Sequence, residues 1–317
     1  MQEIVLTVIT PVYNAQNFIS ETIKSVLNSI DKNSMQYIVV NDGSTDASLE
    51  LINEFADQLL VVSQPNKGEA QAINKALSIS SGKYILVVSA DDPILTADLF
   101  SESIHVLQEF PDIVATYPDW QMIDRQGNLL SEIKAPAFSR ETLIGRFICI
   151  PGPGAVFRKD VALSIGGRDS AYKYVSDYDF WLRLSQFGDF RHIPKTLAKW
   201  RKHSNSASIK GRTSEMANER ILVTQKFLRD YPQTSLIERS ARANSLYNAA
   251  LLSCFEDGLP TRKWILAAIR IQRGLPSEAK VTRIIFLLIF PNSRRIIQSI
   301  GKVPSIAKLF RIQWSIT

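Results

Sequence analysis

Four short apolar runs with three helical stretches between them leave few folds open to the first part of this chain. Ile4–Ile9, Tyr37–Val40, Leu59–Val62 and Tyr84–Val88 are rich in β-branched residues and read as strands. Residues 17–30, 46–57 and 69–80 carry apolar side chains at helical spacing, as in Ile19, Ile23, Val26, Leu27 and Ile30. A strand that is apolar along its whole length is buried on both faces. Strand–helix–strand alternation at this pitch implies a mostly parallel, Rossmann-like sheet flanked by helices. Sheets of that kind take their ligands beyond the carboxyl ends of the strands.

The segments that follow the strands therefore bear on function. They are "TPVYN" (10–14), "NDGSTD" (41–46), "QPNKG" (64–68) and "SADD" (89–92). Turn formers are common at any strand end, and Asp46 fits a plain N-cap for a helix starting near Ala47. Converging on one edge, however, the four segments bring Asp42, Asp91 and Asp92 to a single rim. Unpaired carboxylates held close together repel and call for a cation.

Farther along, "IVATYPD" (113–119) reads as β-like. "GGRDSAYKYVSDYDFWLRLSQFG" (166–188) reads as a loop running into an amphipathic helix with Phe180, Leu182 and Leu184 inside it. "FRHIPKTLAKWRKHSNSAS" (190–208) reads as a short strand pair and a basic loop, and beyond residue 209 the pattern is helical. Charge divides along the same line. Residues 1–198 hold 16 Lys and Arg against 24 Asp and Glu, a net −8, and residues 199–317 hold 21 against 7, a net +14. Cys149 and Cys254 lack metal-type spacing and argue against a disulfide framework. The chain has no secretory start, and its longest apolar run, residues 284–290, is far short of the ~20 residues of a membrane span. A cytoplasmic protein is expected.

"VITPVYNAQNFISETIKSVLNS", "IVVNDGSTDAS", "SADD", "VSDYDFWLRL" and "LAKWRKHSNSAS" stand in the order and spacing of family 2 glycosyltransferases with the GT-A fold. The resemblance covers about residues 4–208. It implies an α/β GT-A domain with a nucleotide-binding half (1–115) and an acceptor-binding half (116–208), followed by a basic helical region (209–317). It further implies an inverting transfer of one sugar from a nucleotide diphosphate sugar, UDP- or dTDP-linked, to a glycan or lipid-linked glycan of a bacterial surface polymer. Asp42 would read the base, with Pro11 and Tyr13 lining its pocket. Asp91 would bind Mg²⁺ or Mn²⁺, with Asp92 as an added ligand or support, and Ser89 would meet the ribose where many relatives carry Asp. Asp177 would be the general base, with Ser176 where many relatives carry Glu. Asp179 and Trp181 would shape the acceptor site, "PGPG" (151–154) its loop, and Arg201 and His203 would close over the diphosphate, His203 on the metal or phosphate.

Two other readings suit the same residues. A nucleotidyltransferase of related fold would need a Gly-rich, Arg-containing first loop where "TPVYN" stands. A degenerate transferase kept as a membrane-associated scaffold would suit Ser89 and Ser176. In the tail, "TRKWILAAIRIQRG" (261–274) and residues 280–302 alternate apolar faces with Lys and Arg, as do helices on an anionic membrane surface and equally helices packed on a catalytic domain with a solvated basic face. No nucleic-acid motif accompanies that charge.

Overall fold

The computed structural model describes residues 4–29, 34–146, 151–203, 214–253 and 261–271. Residues 280–302, both cysteines and the basic loop beyond His203 lie outside the described residues. The chain divides into two compact units, Met1–Phe138 with Ile150–His203, and Ser139–Cys149 with Ser204–Thr317. One boundary between them falls at His203 and Ser204. The helical unit also takes a segment, 139–149, from the middle of the expected acceptor half.

The first unit begins with β1 (Leu6–Val12), α1 (Ile19–Ser29), β2 (Met35–Asp42), α2 (Ser48–Asn53), β3 (Leu60–Gln64), α3 (Glu69–Ser78) and β4 (Tyr84–Val87). These strands pair in parallel in the order β3-β2-β1-β4. Every residue of β1 is buried, as a strand covered on both faces requires. Pro11 lies inside β1 and not in the loop after it. The Val5 and Ile9 carbonyls accept from Tyr84 and Val88, so by period two Pro11 faces that same edge, past the last residue of β4. A missing N–H costs nothing there.

After β4 come α4 (Asp98–Glu109), β5 (Ile113–Ile123) and β6 (Leu129–Ile133), and then β7 (Val156–Arg158), α6 (Lys159–Ser164), α7 (Ser176–Leu184) and β8 (Asp189–Arg201). The strand pair expected in 190–208 is one 13-residue strand. The sheet is mixed. β7 is antiparallel to both β4 and β5, β6 is antiparallel to β5, and β8 runs parallel to β5 from 113 to 123. Two reversals through β7 leave β5 and β8 pointing the same way as β4, so all their carboxyl ends share one edge. Asp119 of β5 is buried and ties three segments together, accepting from the Ala135 N–H at 2.8 Å and meeting His192 at 2.7 Å and Lys134 at 3.1 Å.

The second unit contains α5 (Arg140–Arg146), α8 (Ser214–Asp230), α9 (Ser235–Ser253) and α10 (Thr261–Ile271). Ser240 and Asn244 of α9 both donate to the Gly145 carbonyl, at 2.9 and 2.7 Å, and so satisfy the open end of α5. Ala243, Tyr247 and Ala250 of α9 pack with Ile265 and Ala268 of α10. Among the described residues, no helix is long and apolar enough to cross a membrane.

Candidate active site

The carboxyl ends of β1 and β2 are laced together by side chains. Asn14 holds a left-handed backbone (φ 52°), and its side-chain oxygen accepts from the Thr45 N–H at 2.8 Å. The Ser48 hydroxyl accepts from the Ala15 N–H at 2.8 Å. Asp46 is not the N-cap, because α2 begins at Ser48 with Ala47 in the cap position. Its carboxylate instead accepts from Ser48 and Gln16. Burial works against its charge, but these bonds outweigh it and hold the carboxyl below the usual range.

Asp42 ends β2 almost fully buried. Its Oδ1 accepts from Gln64 at 2.8 Å and the Lys67 N–H at 2.9 Å, and its Oδ2 from the Gly68 N–H at 2.8 Å. The carboxylate thus organises the loop after β3 and keeps a lone pair on Oδ2. Gly43 follows with φ +71°, and a Cβ there would lie 2.6 Å from the Asn66 nitrogen, so only glycine fits. Tyr13, the first residue past β1, stands half-exposed on the rim.

The segment after β4 folds back on itself, Asp92 N–H to Ser89 carbonyl at 3.1 Å. It separates the two adjacent acids. Asp91 is partly open, and its Oδ2 lies 2.8 Å from His203 Nε2. Asp92 is buried and accepts from the Arg201 N–H at 2.7 Å. Burial, then the neighbouring charge of Asp91, pushes the Asp92 carboxyl well up, against hydrogen bonds from Arg201 and Ser89. Of the two roles expected of Asp92, added ligand or support, its burial fits the support. Ser89, expected at the ribose, has its hydroxyl on Asp92. Arg201, expected on the diphosphate, is also turned inward. Its Nε donates to the Asp91 carbonyl at 2.8 Å, Nη1 to the Arg125 carbonyl at 2.9 Å and Nη2 to Glu21 at 2.7 Å. Among the described residues, no three His, Cys, Asp or Glu side chains are grouped to hold a metal ion by themselves. A carboxylate and an imidazole already in contact do fit a hard cation that takes its other ligands from phosphate and water.

α7 leads into β8 through residues 185–188 and packs back on it, with Trp181 and Phe190 ring centroids 5.8 Å apart. Its amino end, bearing Asp177, therefore points to the same carboxyl edge. Asp177 is half-buried in the first turn and accepts from the Tyr178 N–H at 2.7 Å. The cap position belongs to Val175, so Asp177 is not the cap. The acceptor roles expected of Asp179 and Trp181 are not what the structure shows. Asp179 is buried and paired with Arg183 at 2.5 Å, whose other donors reach the Ile165 and Gly167 carbonyls. Trp181 is buried edge-on among Phe157, Phe180 and Phe190. At about 100° per residue Asp179 lies across the helix from Asp177, whereas Trp181 shares the face of Asp177 one turn on and is covered there by Phe157 and Phe190. Nothing local ties Glu21 of α1, or Phe18 just before it, to residues some 180 positions later, so the sequence alone does not single them out.

A mixed sheet flanked by helices, with acidic residues gathered at one carboxyl edge, is the architecture of GT-A glycosyltransferases. The 1–349 fragment of TarS from S. aureus in complex with UDP-GlcNAc superposes with a TM-score of 0.65 at 15% identity, over 88% of this chain and 83% of that one. The mannosyltransferase PcManGT of Pyrobaculum calidifontis in complex with GDP-Man and Mn²⁺ gives 0.59 at 18%, over 92% and 83%. In sequence, the profile of glycosyl transferase family 2 matches residues 7–162. An uncharacterized glycosyltransferase of Haemophilus influenzae is 30% identical over 64% of this chain and 67% of its own length. The chondroitin synthase of Escherichia coli is 32% identical over 65% of this chain, a match that spans only 30% of the synthase. The chain belongs to glycosyl transferase family 2.

Proposed function

We propose that the protein moves one sugar, with inversion, from a nucleoside diphosphate sugar to an acceptor hydroxyl of a surface glycan. The observation that carries this reading is the sharing of one sheet edge by Asp42, the Asp91–His203 pair and Asp177. The free lone pair on Asp42 Oδ2 suits the imide N–H of uracil or thymine, and Tyr13 suits the face of the base. The UDP-GlcNAc complex of TarS supports a donor of this class.

Asp91 and His203 would hold Mg²⁺ or Mn²⁺, and the Mn²⁺ complex of the mannosyltransferase supports that assignment. The ion, when bound, offsets the charge that grows on the departing diphosphate. Asp177 accepts the proton of the attacking hydroxyl as that oxygen closes on the anomeric carbon from the face opposite the diphosphate. Leu266 and Ile269 stand exposed on α10 beside Lys263 and Arg270, which supports an anionic membrane surface as partner of the basic region.

A melting-temperature panel of nucleotide sugars with and without Mn²⁺ tests the donor assignment, because a ligand selective for the folded state raises the melting point. UDP- or dTDP-sugars should stabilise wild-type protein further when Mn²⁺ is present, and Asp91→Ala should lose that increment. A panel with no stabilising member contradicts the reading.

A further inference from the structure

Arg201 is the last residue of β8, and its side chain is only 1% exposed. Removing a guanidinium from water is costly unless its charge and donors are met. Here they are. Glu21 supplies the opposite charge at 2.7 Å from a carboxylate that is itself 53% exposed. Nε donates to the Asp91 carbonyl at 2.8 Å and Nη1 to the Arg125 carbonyl at 2.9 Å. The Arg201 backbone N–H meets the Asp92 carboxylate at 2.7 Å. The guanidinium lies 5.2 Å from the centroid of Phe18, and the same ring lies 4.8 Å from that of His203.

We propose that Arg201 is a positioning residue for the Asp91–His203 pair and does not contact the diphosphate. It grips the peptide from which the Asp91 carboxylate projects and clamps Phe18, the ring against which His203 is seated. Glu21 is the charge partner that lets the cation stay buried. One side chain thereby couples α1, the loop after β4, the turn after β5 and the end of β8, and sets the geometry of both metal-binding groups. This inference rests on the reading of Asp91 and His203 as metal ligands.

The test separates positioning from direct contact in full-length wild-type protein, Arg201→Lys, Arg201→Gln and Glu21→Gln. Free Mn²⁺ is counted by electron paramagnetic resonance in the presence of UDP, and UDP binding is measured separately by calorimetry in EDTA. Loss of an orienting partner weakens metal binding about 10-fold or more. That loss is expected for Arg201→Gln, with a smaller one for Glu21→Gln and UDP affinity in EDTA unchanged in both. Arg201→Lys, which keeps the charge but not the fork, should fall with Arg201→Gln. Weaker UDP binding in EDTA by the Arg201 variants would make Arg201 a phosphate contact and overturn the proposal. Unaltered Mn²⁺ affinity in every folded variant overturns it equally. Should Arg201→Gln fail to fold, Glu21→Gln alone decides, since its side chain faces solvent. Wild-type protein that binds no Mn²⁺ or no UDP would overturn the donor-site reading itself, and this inference with it.

Discussion

Asp42 and Asp177 stand at the same edge of the sheet, and the protein treats them in opposite ways. Asp42 is 2% exposed and takes three hydrogen bonds from the segment 64–68. Asp177 is half-buried on the first turn of α7 and accepts from the N–H of the next residue. A carboxylate held by three donors, with a lone pair still free, is fixed in place before any ligand arrives, which suits recognition. A carboxylate left partly in solvent keeps lone pairs able to take a proton, which suits a base. The proposed nucleotide end is thus built in advance, and the proposed acceptor end is left open around one acid.

That contrast can be attacked where it predicts the largest change. Asp179 belongs with the built parts despite lying two residues from Asp177. Asp179→Ala should cost about 3 kcal/mol of stability, because it strands a buried guanidinium. Denaturant melts check the loss, and UDP affinity should not move. Asp42→Asn should cost about 2 kcal/mol, since the new amide points a donor at an N–H that now donates to Oδ1 or Oδ2. It should also weaken UDP binding about 10-fold by calorimetry. A stable Asp42→Asn variant with normal UDP affinity would break the comparison. The smallest effect concerns Asp119. Burial raises its carboxyl, but bonds from Ala135, His192 and Lys134 bring it below the usual range. A depressed carboxyl stabilises the fold above its unfolded value of ~3.9 and loses that contribution as pH falls through the folded value. Melts below about pH 4 should therefore show an acid loss in wild-type protein that Asp119→Asn lacks.

The nucleotide end was also the more legible in sequence. Four apolar runs and their intervening helices predict β1 to β4 to within a few residues, because a doubly covered parallel strand reads apolar throughout. Asp42 and Asp91 follow from strand ends alone. The acceptor end was harder to read, because its strands pair antiparallel or at long range and its key contacts join distant residues. Nothing beside Arg201 in the sequence announces Glu21, and an Arg two residues before a His suggests phosphate as readily as it suggests a buried clamp. The sequence leaves Asp92 open between ligand and support, because adjacency to Asp91 says nothing about which side of a turn faces inward. The same limit applies to Asp179 and Trp181. α7 is apolar on so many sides that its helical period left the buried face undecided until Phe157 and Phe190 were seen against it.

The account turns on Asp177 as the base of an inverting transfer, and donor hydrolysis reaches it without knowledge of the acceptor. Water takes the place of the hydroxyl, UDP release gives the rate, and NMR coupling constants of the freed sugar give its anomeric configuration before it equilibrates. Wild-type protein should release sugar of configuration opposite to the donor. Asp177→Asn should lower the rate on the order of 10²-fold with UDP affinity unchanged. Retained configuration, or an Asn variant that turns over like wild type, would contradict the account.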